Sequence, residues 1–167
     1  HRSGSERIVT INVDILNPAS VQAAITQLES YDLEARVDEI CRRLADIGFA
    51  AASAGFAGAI YDGTNDVRVT VEPIDNGYAV KANGEAVLFI EYGAGATFGY
   101  GHPRPDGYGP GTYNPRSRRW SSPYGWYYGT SRDLHHTYGN PPAAAMYHAE
   151  QDALRDVERI AEEVLNR

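Results

Sequence analysis

Over residues 7–16 apolar and polar positions alternate: Val9, Ile11, Val13 and Ile15 fall on one face, Thr10, Asn12 and Asp14 on the other. A period of two is that of a half-buried strand, so the chain is predicted to open with one. Asn17 followed by Pro18 then predicts a helix, with Asn as cap, Pro at the first helical position and Val21, Ala24, Ile25 and Leu28 as a short apolar stripe. Residues 30–32 break it. From Leu33 the period changes again. Leu33, Val37, Ile40, Leu44 and Ile47 recur in steps of four and three, which puts them on one stripe of a long helix. Glu34, Arg36, Asp38, Glu39, Arg42 and Arg43 cover the rest of its surface. Gly48 allows this helix to stop or bend, and the Ala/Gly-rich residues 48–61 read as a close-packed helix end and connection.

Tyr61-Asp-Gly-Thr-Asn-Asp66 is turn chemistry, after which Val67, Val69 and Val71 alternate with Arg68, Thr70 and Glu72. Beyond Asp75-Asn-Gly77 a second strand carries Tyr78, Val80 and Ala82. Asn83-Gly84 is a tight-turn signal, and Val87-Leu-Phe-Ile90 is apolar on both faces, which predicts a third, covered strand. By the same cap-then-proline logic Asn140-Pro-Pro142 opens a last helix. Its stripe is Met146, Ala149, Ala153, Val157, Ile160 and Val164. Its other face carries Glu150, Asp152, Asp156, Glu158, Glu162 and Glu163, and is solvated or faces an aqueous channel. The expected fold is α+β: a short antiparallel β-sheet, made of the N-terminal strand plus a three-strand meander, packed with two long helices.

Residues 93–140 differ in kind. They hold ten of the 17 glycines, seven of the 12 tyrosines and both tryptophans, with no helical or strand period. Arg104, Arg116, Arg118, Arg119 and Arg132 against Asp106 and Asp133 make this the basic part of a chain whose net charge is -7. A structureless stretch of that length has too little core of its own to offset its ordering entropy, unless an assembly orders it. The 167 residues therefore read as a single domain, 1–167, with 93–140 as an inserted aromatic and glycine-rich arm. At 43% hydrophobic and 22% charged the composition is globular. The acidic balance argues against general nucleic-acid binding. The sequence shows no signal peptide and no apolar run of membrane-spanning length. One cysteine, Cys41, excludes an intrachain disulfide and fits a reducing compartment.

Catalytic signatures are weak. His102, His135, His136 and His148 invite a metal reading, with His148 and Asp152 one helical turn apart, but HExxH and CxxC are missing and no metal site is expected. Cys41 sits beside an apolar stripe, where cysteine acts as a small hydrophobe. Gly93-Ala-Gly-Ala-Thr-Phe-Gly99 lacks the Lys-Ser/Thr ending of a phosphate-binding loop. A hydrolase would need a carboxylate pair such as Asp133 with Glu91, which sequence spacing does not support. No cofactor and no catalytic residue are expected, and the chain reads as a non-enzyme. Trp120, Tyr124, Trp126, Tyr127 and Tyr128 with nearby arginines would serve as a sugar platform, a stacking surface for single-stranded nucleic acid, or a protein interface. Tyr, Trp and Arg are enriched at interface hot spots, which favours the third. The expected interface residues are Trp120, Trp126, Tyr127, Tyr128, Arg116, Arg118, Arg119 and Arg132.

The order of parts carries a resemblance. A helix, Tyr-Asp-Gly-Thr-Asn-Asp-Val, a strand pair and Val-Leu-Phe-Ile-Glu-Tyr-Gly-Ala-Gly from Val87 to Gly95 precede an aromatic stretch. Thr137-Tyr-Gly139 and Pro141-Pro-Ala-Ala-Ala-Met146 then lead into the last helix. Over residues 33–167 this resembles the neck or tail-completion proteins of long-tailed bacteriophages, most specifically in Phe89-Ile-Glu-Tyr-Gly93 and in the Thr-x-Gly-x-Pro-Pro-Ala approach. The first strand and short helix lie outside the shared core, and the aromatic insertion is long. The resemblance implies a virion structural protein made in the host bacterial cytoplasm. It would form a homo-oligomeric ring, commonly a hexamer, at the head-to-tail junction. There it would join the head connector to the tail terminator or tail tube, with genomic DNA passing through unbound and no membrane contact. The alternative is a carbohydrate- or cell-wall-binding module that uses the aromatic arm.

Overall fold

A computed structural model describes residues 17–30, 32–95, 98, 101–104 and 122–166. The predicted first strand, residues 7–16, lies outside them, as do Arg116, Arg118, Arg119 and Trp120. The fold is α+β, with four helices and two small antiparallel two-stranded sheets among the described residues.

Helix α1 spans Pro18–Ser30, and the Asn17 side chain accepts from the Ala19 amide at 3.0 Å, as a helix cap should. Helix α2, Leu33–Ala57, is capped by the Asp32 carboxylate, which accepts from the Ala35 amide at 2.9 Å. It runs through Gly48 and ends at Ala57, within the Ala/Gly-rich stretch read as a helix end and connection. The predicted stripe is corrected. The residues α2 buries are Ala45, Gly48, Ala52 and Phe56, whereas Leu33 and Val37 are exposed and Ile40, Leu44 and Ile47 only partly covered. The buried face is thus rotated by about one residue from the stripe of largest side chains.

Helix α4, Ala145–Leu165, explains that rotation. It packs antiparallel to α2: Gly55 meets the first turn of α4 at Ala145, and Arg43 reaches Glu163 near its far end. A Cβ on Gly55 would come within 2.7 Å of the Ala145 Cβ. Only small residues admit so close an approach, so Ala45, Gly48, Ala52 and Gly55 form the seam and the larger aliphatics are displaced to its flanks.

Strands β1, Arg68–Ile74, and β2, Gly77–Asn83, form the expected hairpin, with Val69 opposite Ala82 and Val71 opposite Val80. The predicted third strand is a helix instead: α3, Val87–Tyr92. Asp66 decides it. Its carboxylate accepts from the amides of Glu85 at 2.8 Å and Ala86 at 2.9 Å, so Asn83-Gly84 is held to Asp66 instead of turning into a third strand. Gly84, at φ +146, lets the backbone come this near; a Cβ there would lie 2.8 Å from the Asp66 carboxylate. Phe56, Ala86, Ile90 and Ala145 make the central apolar cluster, with Val67, Val69 and Met146 packed against it. Burial of Phe56 and Ile90 contributes about 1.5–3 kcal/mol each before entropy.

Residues 126–137, read from the sequence as lacking a strand period, form a second hairpin of β3, Trp126–Thr130, and β4, Asp133–Thr137. Aromatic and polar residues occupy both of its faces, which erases the alternation a strand usually shows. The start of α4 is corrected as well. Asn140 does not cap it: its side-chain amide donates to the Phe89 carbonyl at 2.8 Å, and the Ala143 amide donates to the Ile90 carbonyl at 2.8 Å. Residues 140–144 are thereby fastened to α3. Ala144 turns the chain at φ 47, and α4 begins at Ala145.

Candidate functional site

Two places concentrate side chains with chemical potential: the outer face of the β3–β4 hairpin and the joint between α3 and α4.

In the hairpin, pairing sets which rings point outward. Tyr127 lies opposite His136, and Tyr128 opposite His135. Tyr127 and Leu134 are exposed on the outer face, and Tyr138 just beyond β4 is exposed as well. The His136 ring meets Tyr127 and Tyr138 edge-on, each with centroids 4.8 Å apart, and its Nε2 hydrogen-bonds the Tyr124 carbonyl at 2.9 Å. Tyr124 is the most open of the set, at 82%. The result is an exposed, histidine-centred aromatic patch with Leu134 on the same face. Trp126 and Tyr128 face the other way. A Cβ on Gly95 would touch the Trp126 ring at 3.2 Å, and the Tyr128 hydroxyl donates to the Asp62 carbonyl at 3.2 Å. Burial, then the charges of Asp62 and Asp133, raise the Tyr128 pKa above its ordinary value, so the hydroxyl remains a donor. Of the expected interface residues, then, Tyr127 is presented outward, Trp126 and Tyr128 hold the hairpin to the body, and Arg132 is exposed in the turn at its tip.

The second place escaped sequence reasoning. Glu91, in α3, is buried with a carboxylate whose Oε2 accepts from the Met146 amide at 2.9 Å and whose Oε1 accepts from the Tyr147 amide at 3.2 Å. It therefore supplies from a distant element the N-terminal cap that Ala144 has no side chain to provide. His102 Nε2 lies 3.1 Å from Oε1, and His102 Nδ1 accepts from the Arg104 amide at 3.0 Å. An accepting Nδ1 puts the imidazole proton on Nε2, which donates to Glu91. Arg104 continues outward to Glu150 at 2.9 Å and lies over the Tyr147 ring. Both imidazole nitrogens and both carboxylate oxygens are thus engaged within the chain. The signal in the sequence was a lone carboxylate inside Val-Leu-Phe-Ile-Glu-Tyr.

The remaining candidates separate. Asp133 pairs with His135 at 3.0 Å at the hairpin tip, while Glu91 is held by α4, so the two carboxylates do not form a working pair. Asp152 binds Arg155, and His148 is exposed. Among the described residues no group of three or more His, Cys, Asp or Glu side chains is arranged to hold a metal ion, and no helix is long and apolar enough to cross a membrane. The acidic face of α4 is largely neutralised within the chain: Arg104 meets Glu150, Arg155 meets Asp152, Arg159 meets Asp156 and Glu163, and Arg43 meets Glu163.

Compared with protein-family models, with curated proteins and with solved structures, the chain matches none.

Proposed function

We propose that this protein is a virion structural component of a long-tailed bacteriophage, which assembles into a homo-oligomeric ring at the head-to-tail junction and joins connector to tail. One observation carries the reading. The two segments on which the resemblance rests, Phe89-Ile-Glu-Tyr-Gly93 and Thr137-x-Gly-x-Pro-Pro-Ala143, stand almost fifty residues apart in sequence yet form one joint. Glu91 caps α4, Asn140 binds the Phe89 carbonyl, and Ala94 and Asn140 pair as a β-bridge. Gly139, at φ +93, belongs to the same joint, since a Cβ there would lie 1.9 Å from the Ala94 carbonyl oxygen. The shared motifs thus read as a folding unit of a structural body rather than a reaction centre. The aromatic patch of the second hairpin supports the same reading, because exposed apolar rings rimmed by polar groups suit a protein contact.

The test is the mass of the purified chain in solution, alone and mixed with tail-tube protein. A discrete species at a small multiple of 18.3 kDa, commonly six, is the expected result. A monomer under both conditions overturns the reading. The side-by-side exposure of Tyr124, Tyr127 and Tyr138 favours a carbohydrate platform as the second reading. Saturable binding on a glycan array, lost in Tyr127→Ala, would establish it in place of the first.

A further inference from the structure

Two hollows meet at Cys41, Asn76 and Gly77, where the β1–β2 turn leans on α2. One, of about 410 Å³, runs between α2, the hairpin and α4, floored by Leu44, Ile74, Val80 and Met146. The other, of about 870 Å³, continues along the first turns of α2 past Leu33 and Val37. Together they form a trough of a size that admits several side chains. Leu33, Val37 and Ile74 are exposed along it at 56%, 48% and 54%.

Its charge is one-sided. The rim carries Asp32, Glu34, Asp38, Asp75 and Glu150, and among the described residues no Lys, Arg or His lines either hollow. Glu150 is met by Arg104. Asp32 caps α2 and Asp38 accepts from the Tyr78 hydroxyl, but among the described residues no cation pairs with Asp32, Glu34, Asp38 or Asp75. Arg42, one turn beyond Asp38, borders the trough at Tyr78 without lining it. This contrasts with α4, where Glu150, Asp152, Asp156 and Glu163 are matched by arginines of the same chain. An apolar floor with an unmatched acidic rim suits an extended partner that is both basic and aromatic.

The chain itself contains such a segment: Arg116-Ser-Arg118-Arg119-Trp120, three positive charges and a tryptophan in five residues. We infer that the trough of one copy receives residues 116–120 of a second copy, the arginines meeting the acidic rim and Trp120 the apolar floor. Donor and acceptor are then different patches of one chain. That is a heterologous contact, and repeated around an axis it closes a ring. The inference deepens the homo-oligomer part of the proposed function and rests on it for the presence of a second copy.

Cys41 lies between the two hollows and is the chain's one cysteine, which makes the test direct. The full chain carrying Ser117→Cys is treated with copper–phenanthroline and run without reductant. The expected result is a ladder of disulfide-linked dimers and higher species whose link is Cys41 to position 117 by mass spectrometry, lost when Cys41→Ser is added. Glu34→Lys with Asp75→Lys is expected to cut the yield on the order of tenfold, with recovery on pairing it with Arg118→Glu and Arg119→Glu. A link formed only within one chain overturns the second copy as occupant. No link to Cys41, or a ladder that survives Cys41→Ser, overturns the trough as receptor. Loss of the ladder in a protein that still sediments as a ring leaves the ring reading standing. A ladder in a protein whose rings never join heads to tails leaves the trough standing and removes the neck role.

Discussion

The two halves of α2 follow opposite rules. Its C-terminal half buries Ala45, Gly48, Ala52 and Phe56, and Ala52 is fully covered. Its N-terminal half leaves Leu33 and Val37 in solvent. Side-chain size alone would assign the inside the other way round. The difference teaches that burial here follows how near the backbones come: where α2 crosses α4, the distance is set by Gly55 against Ala145, and only small residues fit. Toward its N-terminus α2 leaves the large aliphatics Leu33 and Val37 exposed, next to the unmatched acids of the trough.

The contrast is broken most severely at Ala52. Ala52→Asp puts an unpaired charge in the seam and is expected to cost about 3–5 kcal/mol, enough to abolish a cooperative urea transition in a marginally stable domain. Val37→Asp is expected to stay within about 0.5 kcal/mol of the parent, since it adds a charge to an exposed turn. Equal losses at the two sites would show that the halves of α2 are not distinct. Next comes Glu91→Ala. It strips the first turn of α4 of its cap and leaves His102 Nε2 and two amides without an acceptor, at a cost of about 3 kcal/mol. Amide exchange should quicken first at Met146 and Tyr147, and uniform acceleration along the chain would sink the capping role. Gly55→Ala is milder: with 2.7 Å to the Ala145 Cβ the helices must part slightly, costing about 1–3 kcal/mol in thermal melts.

How much of this was legible beforehand depended on how local its cause is. The β1–β2 hairpin follows from the alternation of Val67, Val69 and Val71 and the turn at Asp75-Asn-Gly77, all within twenty residues. The existence of the two long helices was similarly visible, and α2 ends at Ala57 within the stretch read as helix end and connection. Val87-Leu-Phe-Ile90 was not decidable from its own letters, because an uninterrupted apolar run suits a covered strand and a buried helix alike. What settles it is Asp66, some twenty residues upstream, binding the Glu85 and Ala86 amides. The start of α4 was misplaced for the same kind of reason: Asn140 is drawn to the Phe89 carbonyl, so the proline pair precedes the helix rather than opening it. At the aromatic hairpin, composition singled out Trp126, Tyr127 and Tyr128, but only the pairing register divides them into one outward ring and two that hold the hairpin down.

Asp66 also supports the smallest expected effect, one that depends on pH. Hydrogen bonds from the Ala86 and then the Glu85 amide hold its pKa below the ordinary carboxylate value. A carboxylate depressed in the folded state binds fewer protons there than in the unfolded chain. The stability it contributes is therefore fully present above the unfolded pKa, near 4, and is lost as pH falls through the folded one. Glu163, whose pKa is lowered by hydrogen bonds from Arg43 and Arg159, adds to the same acid limb from the α2–α4 side. Melting temperature should thus be flat near neutral pH and fall below about pH 4. Asp66→Asn should lower the neutral plateau and flatten the fall, because an amide cannot lose charge on acidification. Glu163→Gln should flatten it as well while leaving α3 untouched. The two variants separate the sources: amide exchange at Glu85 and Ala86 should rise in Asp66→Asn alone, and an unchanged acid slope in both would show that neither carboxylate carries the pH dependence.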